Sequence, residues 1–537
     1  MPIDGQDMRN KEPDLSFAEV QNRYATLIEN LGRSRLPTGK TVSETLTVED
    51  IPFWEIFSAE LAWRHLTTAV AATTPWAKAK LLVKPFALRL KEGMHGAIVR
   101  HQDASGCSGW PAGPTFLALG LTPRMYRDVL EPVMAYLTSD DSCRAVVLTD
   151  KPYPDSSPAC GSGISYQMLW QHWDSVVRQQ TQQLRESVRQ VESEFTRSKA
   201  LLDLPQAADR PMSAALDKVF YLLFKCYLPL ILPQAAIAKH ILTRHRPALV
   251  LSPDTSDART RIYTLLSKRL NIPCMDIQFG LAGDEAVEWR FFAADCVAVW
   301  GEASKEALLK QGVPESRILL TGSPRHDALV HPAESKIRES RRTLNLVAGR
   351  KVVLLASTYT DSTHTEYSRP ETLRKMKCAI FEAAEKIPEI TLVVKPHPHE
   401  DVRETQALAG GAKNIVFADK TSDIRDLIAV CDAFVSFGST ATIDALIANK
   451  LSICPIFPGW PFSEEFKRSG AVLVPETFDQ IMTIFRRIAQ GEQARKIDVL
   501  QSARQSYLTR IAYKADGLAT TRIGEQARIM AGITNTK

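Results

Sequence analysis

The chain has 537 residues, with 66 Lys and Arg against 61 Asp and Glu for a formal net charge of +5, and 45% of its residues are hydrophobic. The length predicts two or three domains, and the slight charge, without any Lys/Arg block, argues against nucleic acid as a partner. The nine cysteines are odd in number and include no CxxC pair, which excludes a disulfide framework or a structural zinc site as the organising device and points to a reducing cytoplasm.

Residues 1–12 are polar and lack a signal-peptide core. Residues 1–40 read as loosely ordered apart from a short helix over 17–31. The stretch 51–66 carries Phe53, Trp54, Ile56, Phe57, Leu61 and Trp63, the pattern of an aromatic helix docked on another element. In 76–91 apolar residues alternate with Lys78, Lys80, Lys84, Arg89 and Lys91. That is either a solvated helix face or a basic face for lipid or an anionic acceptor, and so the candidate for peripheral contact with the inner membrane. A Gly/Ser/Pro loop over 103–114 precedes a helix at 123–137, a strand at 145–148 and a second loop at 152–163. A long polar helix over 169–202 has apolar positions at Trp173, Val177, Leu184, Val188, Val191 and Phe195. The more apolar 219–238 is interrupted by Lys225, Pro229 and Pro233. It falls short of a membrane span and predicts buried helices, with a patch resting on the membrane as the alternative.

From residue 248 the pattern changes. Apolar strands at 248–251, 274–277, 295–300 and 318–321 alternate with helices at 256–270 and 304–310. After a charged helical link at 331–349, strands recur at 352–356, 391–395, 415–417, 433–435 and 451–455. Such alternation marks βαβ units and parallel sheets. The expected fold is α/β, with two Rossmann-like doubly wound domains facing a cleft and extra helices in the N-terminal half. The expected division is a helical and loop region at 1–110, a first domain at 111–332 with a helical insertion at about 165–245, a second domain at 333–500, and C-terminal helices at 501–537. Ligands of such sheets bind at the carboxyl ends of the strands.

Two motifs lie at such ends. In the first, Lys395-Pro396-His397-Pro398-His399-Glu400 follows an apolar strand. Its prolines hold an extended turn, so that His397, with Lys395 adding charge, is a candidate for a phosphate; the plain alternative is a capped strand end. In the second, Val435-Ser436-Phe437-Gly438-Ser439-Thr440 opens a helix that contains Asp444. A strand–turn–helix unit offers backbone N–H groups and a helix dipole to a phosphate, with Asp444 placed for ribose hydroxyls; the alternative is an N-cap on a small-residue turn. Ser357 and Thr358 end another strand, and Arg325 with His326 follows the strand at 318–321. These can line the same site or simply cap their elements.

These stretches resemble bacterial surface-polysaccharide transferases. The residues concerned are Val297-Ala298-Val299-Trp300-Gly301, Gly322-Ser323-Pro324-Arg325-His326-Asp327, the KPHP run and the Ser-Phe-Gly-Ser-Thr-Ala run. The resemblance is to the GT-B group that includes CDP-glycerol glycerophosphotransferases and Kdo- and sialyltransferase-like enzymes. It implies a nucleotide-sugar donor, a cytidine nucleotide being one option, with His397, Ser439 and Thr440 on its phosphate and Asp444 on the ribose side; Lys395, Ser357, Thr358 and Arg325 are the further donor-binding candidates from their places at strand ends. It further implies a glycan or lipid-linked acceptor, no metal and no cofactor, and work in the cytoplasm, at the cytoplasmic face of the inner membrane if the basic helix engages it. The glycerophosphotransferase branch has a His-Gly pair, its candidate base, where this chain reads Phe279-Gly280. A carboxylate base is therefore expected from Asp257, Asp284 and Glu285, with Asp254 and Glu288 as neighbours and Arg259 and Arg261 as anion contacts. The expected activity is glycosyl transfer. A UDP-sugar 2-epimerase-like isomerase and a non-catalytic protein of glycan assembly are the alternatives.

Overall fold

The computed structural model describes residues 17–71, 109–140, 142–151, 163–198, 219–282, 286–359, 369–460 and 463–533. The basic stretch 76–91, Asp284 and Glu285 lie outside them. Two compact units emerge. The first takes the described residues up to Val299, then Ala303–Thr321, then those from Thr520 onward; the second takes Trp300–Glu302 and Gly322–Ala519. The continuous part of the second unit begins at Gly322, and the helix Pro324–Val330 seats Leu329 in that unit's core.

In the first unit a two-residue hairpin, β1 (Thr47–Val48) and β2 (Ile51–Pro52), turns through Glu49 and Asp50, both at positive φ. The main strands are β3 (Thr115–Leu119), β4 (Arg144–Thr149), β5 (Ile164–Met168), β6 (Leu249–Ser252), β7 (Cys274–Ile277), β8 (Cys296–Val299) and β9 (Ile318–Leu320). They form one seven-stranded sheet in the order β5-β4-β3-β6-β7-β8-β9, and every pairing is parallel. Alternate residues point to opposite faces. Leu117, Leu119, Val146, Leu148 and Val250 enter one core. Phe116, Ala118, Ala145, Val147, Leu249 and Leu251 enter the other. Because both faces are covered, these strands read as continuous apolar runs. The edge strand β5, whose sequence ISYQM mixes polar and apolar residues, is half-buried and lacks that signature. It was not predicted.

The first core is completed by the helices Phe17–Arg33, Phe53–Ala71, Leu228–His245 and Ala258–Arg269. By length and composition Val219–His245 could cross a membrane, but 65% of its most apolar window is buried inside the fold. It packs on the helices Ser175–Ser198 and Ala258–Arg269. The second core receives Ile523 and Ala527 of the last helix, Ala519–Met530. A Cβ at Gly524 would lie 2.1 Å from Tyr136 Cδ1, so only glycine lets this helix approach so closely.

The second unit holds β10 (Lys351–Ala356), β11 (Ile390–Lys395), β12 (Ile415–Phe417), β13 (Ala433–Ser436) and β14 (Leu451–Ile453). They form a five-stranded sheet in the order β12-β11-β10-β13-β14, again with every pairing parallel. Val353, Leu355, Leu392, Val394 and Val435 face helices Pro370–Glu385 and Phe478–Ala489. Val352, Leu354, Val393 and Phe434 face helices Ile424–Val430 and Ala441–Ile447. The α/β class and the two doubly wound parallel sheets expected from the alternation are therefore what the chain builds.

Candidate functional site

In each sheet the chain starts in the middle, winds to one edge, then returns to the other side of the first strand. The reversal leaves a crevice at the carboxyl ends of the two strands flanking it, where ligands of open α/β sheets bind. In the first unit these strands are β3 and β6; in the second they are β10 and β13.

At the first crevice the carboxylates after β6 have local partners. Asp257 caps the helix Ala258–Arg269 by accepting from the Arg259 N–H at 2.8 Å. It also binds the Arg259 guanidinium, with Nη2 at 2.6 Å from Oδ2. Arg259 reaches on to Asp150 at 3.1 Å. Asp254 Oδ1 accepts from the Ser256 N–H at 2.8 Å and the Ser256 hydroxyl at 2.7 Å. Burial, and next Asp257, push its carboxyl above the usual range. The candidate base Asp257 is thus a helix cap inside an ion pair. Arg261, expected as an anion contact, is buried and donates to the carbonyls of Glu55, Thr255 and Phe291. At the end of β7, Phe279 lies under the Arg124 guanidinium, 5.7 Å from its ring centroid.

Sequence reasoning passed over Asp276. It sits inside β7, 2% exposed, and burial pushes its carboxyl up to about 7. A carboxylate within an apolar run was the available signal.

The second crevice gathers more of the predicted residues. In register, Ala356 pairs with Lys395 on one side and Ser436 on the other, so the loops after β10, β11 and β13 leave the sheet side by side. After β10, the Ser357 hydroxyl donates to Glu400 Oε1 at 2.7 Å, and Thr358 and Tyr359 are half-buried. After β11, the half-buried His397 packs its ring 4.8 Å from that of Tyr359. Its Nδ1 accepts from the His399 N–H at 3.2 Å. An accepting Nδ1 carries no proton, so the neutral ring carries it on Nε2. After β13, Gly438 turns the chain at φ 96°. Ser439 Oγ accepts from the Ala441 N–H at 3.2 Å, and Ser439 and Thr440 are exposed.

Three residues expected at the donor are engaged elsewhere. Lys395 is 8% exposed, and its ammonium donates to the carbonyls of Pro396 at 3.1 Å and Lys420 at 2.7 Å. It holds the turn rather than standing open at the strand end. Asp444 and Arg325 form a buried bidentate pair: Arg325 Nε donates to Oδ1 at 3.1 Å and Nη2 to Oδ2, with the side chains 1% and 6% exposed. Burial alone would raise the Asp444 carboxyl, but Arg325, with His326, outweighs it and holds it below the usual range. With both oxygens on Arg325, Asp444 is an internal anchor and not a group presented to a ribose.

The residue that sequence reasoning passed over here is Glu400. It is 3% exposed, and its carboxylate receives four hydrogen bonds. Its place three residues after His397 was the one available signal.

Residues 304–453 match the family of CDP-glycerol:poly(glycerophosphate) glycerophosphotransferases. The resemblance seen in the motifs is therefore shown over this segment, which includes all three loops of the second crevice and is that of a transferase family. No curated protein matches the chain. Among solved structures, the wall teichoic acid polymerase TagF with CDPG is similar at 13% identity and a TM-score of 0.48, over 85% of this chain and 97% of that one. A glycosyltransferase from Rickettsia africae is similar at 11% identity and a TM-score of 0.45, over 79% and 100%. The UDP-GlcNAc 2-epimerase of Neisseria meningitidis is similar at 16% identity and a TM-score of 0.46, over 77% and 99%.

Proposed function

Because residues 304–453 carry the pattern of a glycerophosphotransferase family, we propose that this protein transfers the glycerophosphate group of CDP-glycerol to a hydroxyl of a poly(glycerophosphate) or related surface polymer. One observation carries the proposal: the family match takes in β10 to β14 together with the loops after β10, β11 and β13 that hold Ser357, Thr358, His397, Ser439 and Thr440.

In this reaction the acceptor hydroxyl attacks the phosphorus that bears the glycerol. The bond from that phosphorus to the oxygen bridging to the CMP phosphate breaks, CMP leaves with the electron pair, and the acceptor proton passes to a base. Phosphoryl transfer of this kind is accelerated by positioning and by stabilising charge on the phosphate oxygens. His397 suits that task as an Nε2–H donor, and the exposed hydroxyls of Ser439 and Thr440 suit it from two strands away, roughly 10 Å at ordinary strand spacing. Lys395 contributes positive charge from within the turn. The acceptor is assigned to the first unit's own crevice between β3 and β6. Asp284 or Glu285, each following β7 in sequence, is the proposed base, since Asp257 is held by Arg259.

One observation favours a second proposal, transfer of a sugar instead of glycerophosphate: Phe279 stands where the glycerophosphotransferase branch has its candidate base. The deciding experiment incubates the full chain with CDP-glycerol, CMP-sugars and UDP-sugars, each with and without a glycerophosphate-primed acceptor, and reads the product by mass. Growth of the acceptor by one glycerophosphate with release of CMP is the expected result. Growth by a sugar would replace the first proposal with the second, acceptor-free isomerisation of a UDP-sugar would point to an epimerase, and no turnover of any donor would refute both transferase proposals. His397→Gln should lower turnover at least a hundredfold while leaving the melting temperature near wild type.

A further inference from the structure

We infer that Glu400 is the positioning residue of the donor site, holding the turn after β11 so that His397 presents its Nε2–H to a phosphate. The inference rests on the donor assignment above. Glu400 Oε1 accepts from the Ser357 hydroxyl at 2.7 Å, the Lys377 ammonium at 2.5 Å and the Thr405 hydroxyl at 2.5 Å. Oε2 accepts from the His397 N–H at 2.9 Å, and the Glu400 N–H returns a bond to the His397 carbonyl at 3.0 Å. The turn from 397 to 400 is therefore closed from both sides. Its donors come from the loop after β10, from the helix Pro370–Glu385 and from the helix Val402–Leu408. One carboxylate thus ties the loops after β10 and β11 to two helices. Lys420 adds a second tie, donating to the carbonyls of Glu400 and, at 3.4 Å, of Pro398.

The chemistry of the partners explains why a carboxylate stands here. An ammonium and a backbone N–H can only donate, and they approach opposite oxygens of the same group. A glutamine offers one oxygen, so its amide nitrogen must face either Lys377 or the His397 N–H. An aspartate keeps the charge but lacks the reach. Loss of the Oε2 bond frees the turn, and the His399 N–H then no longer holds Nδ1 as an acceptor. The imidazole can then move its proton to Nδ1 and turn its donor away from the phosphate.

The test compares wild type, Glu400→Gln, His397→Gln and the double variant in the full chain. CDP affinity is measured by calorimetry and the His397 tautomer by its nitrogen-15 shifts. In wild type, Nδ1 should be unprotonated. Glu400→Gln should give a mixture of tautomers and a loss of CDP affinity of roughly tenfold, the worth of one hydrogen bond to a charged group. The double variant should bind no more weakly than His397→Gln alone, because Glu400 acts through His397. Wild-type affinity and an unchanged tautomer in Glu400→Gln would overturn the inference, and so would additive losses in the double variant. If wild type does not bind CDP or CDP-glycerol, the donor assignment itself fails, while the tautomer still decides whether Glu400 governs His397. Should Glu400→Gln fail to fold because Lys377 is left without its anion, Lys377→Met with Glu400→Gln carries the same test.

Discussion

Replacing Asp444 with Asn removes one half of a buried ion pair and leaves its partner in place. Arg325 is 6% exposed and Asp444 1%, and two parallel N–H to carboxylate bonds join them. The asparagine keeps the shape but cannot balance the guanidinium. Leaving a buried charge without its partner costs about 3–5 kcal/mol. Spread over the surrounding elements, this is roughly two to four powers of ten in an opening equilibrium. The assay is native-state hydrogen exchange, read at the amides of the helix Ala441–Ile447 and of β13, where opening exposes the pair. Those amides should exchange faster by that factor, while amides of the first unit's sheet keep wild-type rates. The double variant Arg325→Met, Asp444→Leu should recover much of the loss, since an apolar pair of similar volume needs no counter-ion. Unchanged exchange in Asp444→Asn, together with a selective loss of nucleotide affinity, would refute this account and return Asp444 to the ribose.

Three further outcomes follow from the packing. Burial raises the Asp276 carboxyl from 3.8 to about 7, so the folded chain keeps a proton that the unfolded chain releases. Stability should then fall by about 4 kcal/mol between pH 4 and pH 7 and level off above that; denaturant melts should show this slope in wild type and lose it in Asp276→Asn. At Gly301 a Cβ would lie 2.6 Å from the carbonyl oxygens of Arg510 and Ile511, so Gly301→Ala should cost about 1–3 kcal/mol through overpacking, seen as a lower thermal midpoint. Asn414 donates to the carbonyls of Ala384 at 2.6 Å, Ile387 at 3.3 Å and Ile390 at 3.1 Å. Asn414→Ala removes all three bonds, while the carbonyls of Ala384 and Ile387 keep the backbone N–H donors of Ile387 and Ile390, and should cost about 1–3 kcal/mol in the same melts.

The legible parts of the sequence were those where one local property sufficed. Strands such as β4, β6, β10 and β11 are buried on both faces and so appear as short apolar runs. β5 is half-buried, carries no such run, and was missed for that reason. The KPHP motif was legible as a turn because its prolines restrict the backbone, and the turn is where it was expected. What its side chains do was less legible. Lys395 looked like a charge offered to a ligand, yet its ammonium is consumed by two carbonyls. Asp257 was expected as a base, and its geometry is that of a helix cap.

By itself the sequence determined the α/β class, the two runs of alternating strands and helices, and the placing of His397, Ser439 and Thr440 at strand ends. Those features follow from hydrophobic periodicity and from proline and glycine, which act over a few residues. Only the tertiary structure decided the strand orders, and with them which loops meet at a switch point. It also decided the return of the last helix to the first unit and the pairing of Arg325 with Asp444, which stand 119 positions apart. Buried charges must find partners wherever the fold brings them, and no local pattern records a partner at that distance. Glu400 shows the same at shorter range, because its role depends on Ser357 and Lys377, which chain folding alone carries to the end of β11.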